Sequence, residues 1–362
     1  MAKKILYIID SLSRGGAELL LVEFIASLPM EYEVTVVILH EPDTLRIKLP
    51  EATTLLKLDF KNKYSIAGCA IKLNIIIKQY NITLVHAHLY LSTLVARLAT
   101  PTGIPLVFSV HNALSEEVFA GSCIGKWLER LTYNPDQQAI FVSNASYSDY
   151  ARHVALGPKA TIIYNFVTDA FFDAGLTHRV SSGKSLSLVA VGNLKKQKNF
   201  ETLIAGMDLL KDEPGVSLAI YGEGPERSAL QKLIAHYGLD RVILCGSHDN
   251  LAEVLPRYDA FVLSTRYEGF CVAMAEAMAT GLACLVSDIA VLKEVSEGKQ
   301  LYFNPTNPEE FAAQVKGILQ QPEKLQVLGQ LAKQTAQKYK RVSYTLAVTK
   351  IYTSLLQHRN GR

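Results

Sequence analysis

At 362 residues, 49% of them hydrophobic and 20% charged, the chain is too long for one hydrophobic core and sets an expectation of about two globular domains. Ordinary glycine and proline contents exclude a fibrous or disordered chain, and a net charge of +3 is too small to argue for nucleic acid as a partner. The five cysteines (Cys69, Cys123, Cys245, Cys271, Cys284) form no CxxC pair, which speaks against a disulfide framework or a zinc site and fits a reducing compartment.

The chain opens directly on a buried-strand pattern at residues 4–10, without the apolar stretch and cleavage site of a signal peptide. No run of about 18 apolar residues offers a spanning helix, so the expected location is cytoplasmic. Residues 16–28 repeat apolar positions at helical spacing, and 34–39, 84–86, 106–110 and 139–142 read as further strands. Continuous apolar runs separated by helices indicate a parallel sheet buried on both faces. The pattern breaks over residues 164–184, the expected linker. A second series follows, with strands at 187–191, 217–221, 242–245, 260–263 and 284–287. Helices are expected at 200–210, 225–237 and 272–280. The same grammar occurs twice, so the expected fold is α/β, with two Rossmann-like domains facing each other across a cleft. The expected division is 1–168 and 169–341, with the amphipathic stretch 342–362 crossing back to the first domain.

Between Asp59 and Glu116 there is no acidic residue, while Lys61, Lys63, Lys72, Lys78 and Arg97 all fall there. Residues 64–80 read as a helix with apolar positions Ile66, Ala70, Leu73 and Ile77. Two readings stay open: a solvated basic face, or a surface that meets anionic lipid headgroups or a phosphate-bearing acceptor. Trp127 is expected on one side of an amphipathic helix, with lipid contact as the alternative.

Four motifs carry chemistry. Arg14, Gly15 and Gly16 join the first strand to the first helix, where free backbone N–H groups suit a phosphate or a sugar hydroxyl. The stretch from Gly192 through Asn193, Lys195 and Lys196 to Lys198 puts a cation cluster before a helix, suited to neutralising a departing diphosphate. Gly222-Glu223-Gly224-Pro225 turns tightly at a strand's carboxyl end, where ligands bind in open sheets. Most specific is Glu268-Gly269-Phe270-Cys271-Val272 followed by Glu276. Glu268 is placed to accept hydrogen bonds from sugar hydroxyls, and the amides near Gly269–Val272 point at phosphate. Glu276, on a helix otherwise built of Ala and Met, suits a ribose diol. His86-Ala87-His88 lacks a third ligand at metal-binding spacing, so structural hydrogen bonding is expected there. The sequence contains no Asp-x-Asp metal–diphosphate anchor.

In this order the motifs resemble the retaining GT-B glycosyltransferases of family 4, and the likeness covers nearly the whole chain. The resemblance implies that the second domain binds a nucleotide-sugar and the first an acceptor, with no catalytic metal or other cofactor. It assigns Lys198 to the diphosphate, Glu268 to the sugar, Glu276 to the ribose, and Gly15 and Gly16 to the region of the donor phosphates. The active-site histidine falls on His111, in Val110-His111-Asn112, with Asn112 beside it. The chain departs from the family pattern at Asn193, where an arginine is usual and where Lys195 or Lys196 is expected to substitute. It departs again at Ala290-Val291, where two glycines are usual. The implied donor is a UDP-sugar ahead of a GDP-sugar, and the implied acceptor a glycan or lipid-linked molecule of cell-surface polysaccharide or lipopolysaccharide assembly. That acceptor and the basic stretch suggest peripheral contact with the inner membrane face. Two alternatives stand beside this: a two-domain nucleotide-sugar epimerase, which would convert donor alone, and a catalytically silent nucleotide-sugar-binding partner subunit.

Overall fold

The structure, a computed structural model, describes residues 3–120, 123–174 and 185–360. The chain divides into two compact units, Met1–Phe166 with Arg341–Arg362, and Val167–Lys340.

The first unit holds seven strands: β1 (Lys3–Ile9), β2 (Tyr32–Ile38), β3 (Thr54–Lys57), β4 (Leu84–His88), β5 (Leu106–Val110), β6 (Gln138–Phe141) and β7 (Ala160–Ile162). They form one parallel sheet in the order β3-β2-β1-β4-β5-β6-β7. Every side chain of β4 and β5 is buried, as a central strand covered by helices on both faces requires. The helices are α1 (Gly16–Ala26), α2 (Ile66–Gln79), α3 (Tyr90–Ala99), α4 (Cys123–Thr132) and α5 (Asn144–Ala151). Helix α2 buries Cys69, Ala70, Leu73 and Ile77, the three-and-four spacing that its sequence predicts. These residues share one core with Val95, Ala96 and Ala99 of α3 and with Phe108 and Val110 of β5.

The second unit begins with α6 (Asp169–Ala174) and contains β8 (Leu186–Val191), β9 (Val216–Tyr221), β10 (Val242–Gly246), β11 (Ala260–Leu263), β12 (Ala283–Ser287) and β13 (Leu301–Phe303). These are parallel in the order β10-β9-β8-β11-β12-β13. Its helices continue with α7 (Phe200–Asp208), α8 (Arg227–Tyr237), α9 (Leu251–Val254), α10 (Val272–Thr280), α11 (Ala290–Ser296), α12 (Pro308–Gln320) and α13 (Glu323–Ala336). Helix α10 is buried along nearly its whole length from Met274 to Thr280, and Gly281 at φ 86° ends it in the left-handed conformation. The final helix α14 (Arg341–Asn360) belongs to the first unit, where it buries Tyr344, Val348 and Tyr352 at four-residue spacing.

Of the stretch 164–184 expected as linker, the division between units falls at Phe166/Val167 and α6 follows at once, while residues 175–184 lie outside the described residues. Arg97 is not part of a basic surface. Its side chain is 1% exposed, lies over the ring of Phe108 at 4.4 Å, and pairs with Glu129 at 2.8 Å. Among the described residues no helix is long and apolar enough to cross a membrane.

Candidate functional site

In each sheet the strand order reverses direction once, between β1 and β4 and between β8 and β11. Beyond the carboxyl ends of the strands at such a reversal, the loops diverge and leave a crevice suited to ligands. The residues singled out from the sequence gather at these two places, each within its own unit.

In the second unit, the chain leaves β8 at Gly192 and turns through Lys195–Lys198. The aliphatic stem of Lys198 lies against Gly192: a Cβ there would come within 3.2 Å of Lys198 Cε. Its ammonium group meets Oε1 of Glu268 at 2.5 Å. Both side chains are largely buried. Burial works against the ammonium charge, but the Glu268 carboxylate more than offsets it and holds the Lys198 pKa above its ordinary value. The backbone fixes this pair. Arg266 N donates to Gln197 O at 2.9 Å, and Gln197 Nε2 donates to Tyr267 O at 2.7 Å. Asn199 sits in the left-handed region (φ 51°), its amide donating to Thr202 Oγ1, Ser264 O and Pro305 O. Arg266 Nη2 donates to Asn199 Oδ1 at 3.2 Å. The Lys198 turn and the Glu268 loop are thereby sewn into one platform.

Gly222 has a plain structural cause. At φ 146° it lies so close to Gly192 O that a Cβ would stand 2.0 Å from that oxygen, so the β9 loop rests on the β8 loop. Phe270 sends its ring into the core against Tyr339 (5.0 Å). Cys271 caps α10 in the left-handed region at φ 70°. Burial and then the nearby Glu268 charge push its thiol up to about 12, so it is a protonated packing group and no nucleophile. Glu276 lies one helical face along α10, 8% exposed, and burial pushes its carboxyl up to about 8. Asn193, Lys195 and Lys196 are exposed.

In the first unit, Gly15 and Gly16 begin α1 after β1. Here the structure adds Glu18, whose carboxylate folds back over Gly15 (a Cβ there would meet Glu18 Oε2 at 2.1 Å) and accepts from Ser13 Oγ at 3.2 Å. The α1 start is therefore covered by the chain's own carboxylate, and Arg14 beside it is exposed. His111, at the end of β5, points Nε2 at Nδ1 of His88 (2.9 Å). Nδ1 of His111 and Nε2 of His88 are buried without partners among the described residues. Burial pushes His111 down to about 4 and His88 well below its ordinary value, so both are neutral imidazoles at pH 7. His86 fulfils a structural role: Nε2 meets Ser109 Oγ at 2.8 Å and Nδ1 meets the Tyr352 hydroxyl at 2.5 Å. A small, partly open pocket lies beside His111, walled by Leu89, Tyr90, Phe108, Asn112 and Glu129. Leu89 is held there at φ 69°, a conformation a branched side chain adopts only under local constraint. Asn112 Nδ2 donates to Glu117 Oε1 at 2.7 Å. No group of three or more metal-ligating side chains occurs among the described residues.

Thus Lys198 and Glu268 meet directly, Glu276 follows one helix further, and His111 has a histidine partner. Three features carry no strong sequence signal: the Arg266–Asn199 clasp, the Glu18 cover and the His88–His111 pair. The first and third join segments far apart in the chain, while the Glu18 cover is set by how that side chain folds back at the start of α1.

The family model described as Glycosyltransferase Family 4 matches residues 14–171, and the one described as Glycosyl transferases group 1 matches residues 178–335. The chain is 26% identical over 144 residues to the UDP-N-acetylglucosamine–peptide N-acetylglucosaminyltransferase GtfA subunit of Streptococcus pneumoniae, covering 39% of this chain and 29% of that protein. It is 27% identical over 152 residues to N-acetyl-alpha-D-glucosaminyl L-malate synthase of Bacillus anthracis, covering 40% of each. The chain thus spans well under half the length of these two curated relatives. Among solved structures it resembles HepE of Anabaena in complex with UDP and glucose, with a TM-score of 0.82, 18% identity, and 97% of this chain and 100% of that chain covered. At that identity the likeness establishes the GT-B fold.

Proposed function

We propose that this chain, which belongs to the group 1 and family 4 glycosyltransferases, transfers a sugar from a nucleotide diphosphate-sugar to an acceptor hydroxyl. The observation that carries the reading is the buried Lys198–Glu268 pair at the strand-order reversal of the second unit, beside the start of α10. In this reading the second unit takes the donor. The Lys198 ammonium and the amides of Gly269, Phe270, Cys271 and Val272 hold the diphosphate and stabilise the negative charge that grows as the glycosidic bond breaks. Glu268 accepts hydrogen bonds from the sugar hydroxyls, and Glu276 accepts them from the ribose diol. Lys195, beside Asn193, supplies the second cation that Asn193 lacks.

The first unit takes the acceptor. His111, neutral at pH 7, offers an uncharged ring nitrogen to the sugar or its developing positive charge, and His88 fixes that ring's orientation. The Gly15–Gly16 turn at the start of α1, covered here by the Glu18 carboxylate, suits a phosphate or a sugar hydroxyl. Charge stabilisation by fixed cations and amides makes a catalytic metal unnecessary, and the configuration at the sugar carbon is retained. HepE was solved with UDP and glucose, which supports a UDP-sugar as donor ahead of a GDP-sugar. A lipid-linked or polysaccharide acceptor of cell-surface assembly suits a cytoplasmic enzyme working at the inner membrane face.

The test is incubation with UDP-sugars, with and without glycan or lipid-linked acceptors, followed by NMR assignment of the product anomer. Transfer is expected only with acceptor present, with retention, and undiminished by EDTA. Conversion of donor alone would identify an epimerase, and an inert chain that still binds UDP would identify a silent subunit. Lys198→Ala should slow transfer at least ~100-fold, the scale of losing one transition-state donor. Near-normal turnover by that variant would discard the assigned role.

A further inference from the structure

The outer faces of α2, α3 and α4 share a property that the transfer chemistry does not use. All three lie on one side of the first unit's sheet, and α3 packs against both neighbours. The inner face of α2 is buried at Cys69, Ala70, Leu73 and Ile77, and its opposite face exposes Ile71 and Ile75. On α4, Ile124, Trp127 and Leu131 stand one helical turn apart on one stripe, and Leu98 of α3 lies exposed between the two helices. Each of these six side chains is more than half exposed, and Trp127 is 61% exposed. With Tyr64 just before α2, they make up half of the fourteen large apolar side chains exposed among the described residues. Monomeric proteins seldom leave such a patch uncovered.

Most of the charges around it are positive; the exception at its edge is Asp59, whose carboxylate lies 3.9 Å from the Lys72 ammonium. Lys63, Lys72 and Lys78 flank the α2 stripe, and Lys126 and Arg130 flank the α4 stripe. The only carboxylate on the three helices is Glu129, which is buried against Arg97 and so adds nothing to the surface. An apolar stripe bordered by cations complements an anionic lipid surface, where indole and aliphatic groups enter the headgroup boundary and lysines meet phosphates. A protein partner would not require that the three helices themselves carry no exposed carboxylate.

We propose that the α2–α3–α4 face seats the first unit on an anionic bilayer, with Trp127 and its neighbours inserted and the lysines ringing them. This deepens the reading of a membrane-borne acceptor, yet the surface stands whether or not that acceptor is correct. Trp127 is the only tryptophan in the chain, so its fluorescence reports directly on the proposed contact. Adding phosphatidylglycerol–phosphatidylcholine vesicles to the full chain should shift its emission to the blue and bring the protein down with the vesicles. Pure phosphatidylcholine should do neither, and high salt should reverse both effects. Lys72→Glu/Lys78→Glu should weaken binding at least about 30-fold, given roughly 1 kcal/mol for each lysine at such a surface. Leu131→Glu should remove the blue shift. UDP-induced thermal stabilisation should be the same in all variants. Its absence in the unaltered chain would count against the donor reading and leave the vesicle result standing. Equal binding to neutral vesicles, or unaltered binding by both variants, overturns the proposal. So does a dimer in sedimentation equilibrium that Leu131→Glu dissolves, which would make this face a contact between copies.

Discussion

Burial without a partner is what sets Glu276 apart from the other carboxylates of the second unit. The ordinary value of 4.5 rises to about 8 because burial in the α10 core penalises the charged form. The folded chain therefore holds this proton more tightly than the unfolded chain. Its contribution to stability is complete below about pH 4.5 and is lost as the pH rises through 8. The melting temperature should fall as the pH rises from about 5 to 8 and level off above that, and Glu276→Gln should remove part of that fall. A ribose diol donating to the group favours the carboxylate, so UDP binding at pH 7 should release up to one proton. Calorimetry in buffers of different ionisation enthalpy would read this. Binding heats that do not depend on the buffer would show that no proton leaves. His111 and Lys198 are set the opposite way, each by its own surroundings. Burial keeps the imidazole neutral, while Glu268 keeps the buried ammonium charged.

The strand-end loops separate glycines that serve the fold from glycines that leave room for a ligand. A Cβ on Gly222 meets a backbone oxygen that has nowhere to go, and its φ of 146° is strained for any other residue. Gly222→Ala should cost about 3 kcal/mol, read by denaturant melting. A Cβ on Gly15 meets only the mobile end of Glu18, and its φ of −107° suits any residue. Gly15→Ala should therefore leave stability within about 0.5 kcal/mol and reduce transfer, if the donor comes close to that backbone. A large loss of stability there would show that Gly15 too is structural. The central strands and α10 are legible in the sequence because burial on every side leaves continuous apolar runs. The three- and four-residue edge strands β3, β7 and β13 are too short to show a period, and half-burial leaves their composition mixed.

At the scale of the molecule, the chain ends by rejoining the unit in which it began. The Tyr352 hydroxyl of α14 donates to Tyr7 at 3.2 Å and sits against His86, with its ring fully buried. Tyr352→Phe strands His86 Nδ1 in the core and should cost about 1–3 kcal/mol. Tyr352→Ala should cost about 3–5 kcal/mol through the cavity it leaves. Unchanged melting in both would mean that α14 contributes nothing to the first unit. The sequence by itself determined the doubled α/β pattern and the residues that carry the chemistry, because burial periodicity and motif spacing are local properties of a chain. Only the tertiary structure decided that Lys198 meets Glu268 across 70 residues, that His88 partners His111, and that Arg97 is interior while Trp127 is exposed. Those facts depend on which loops fold onto which strands, and hydrogen bonds between distant segments leave no periodic mark in the sequence.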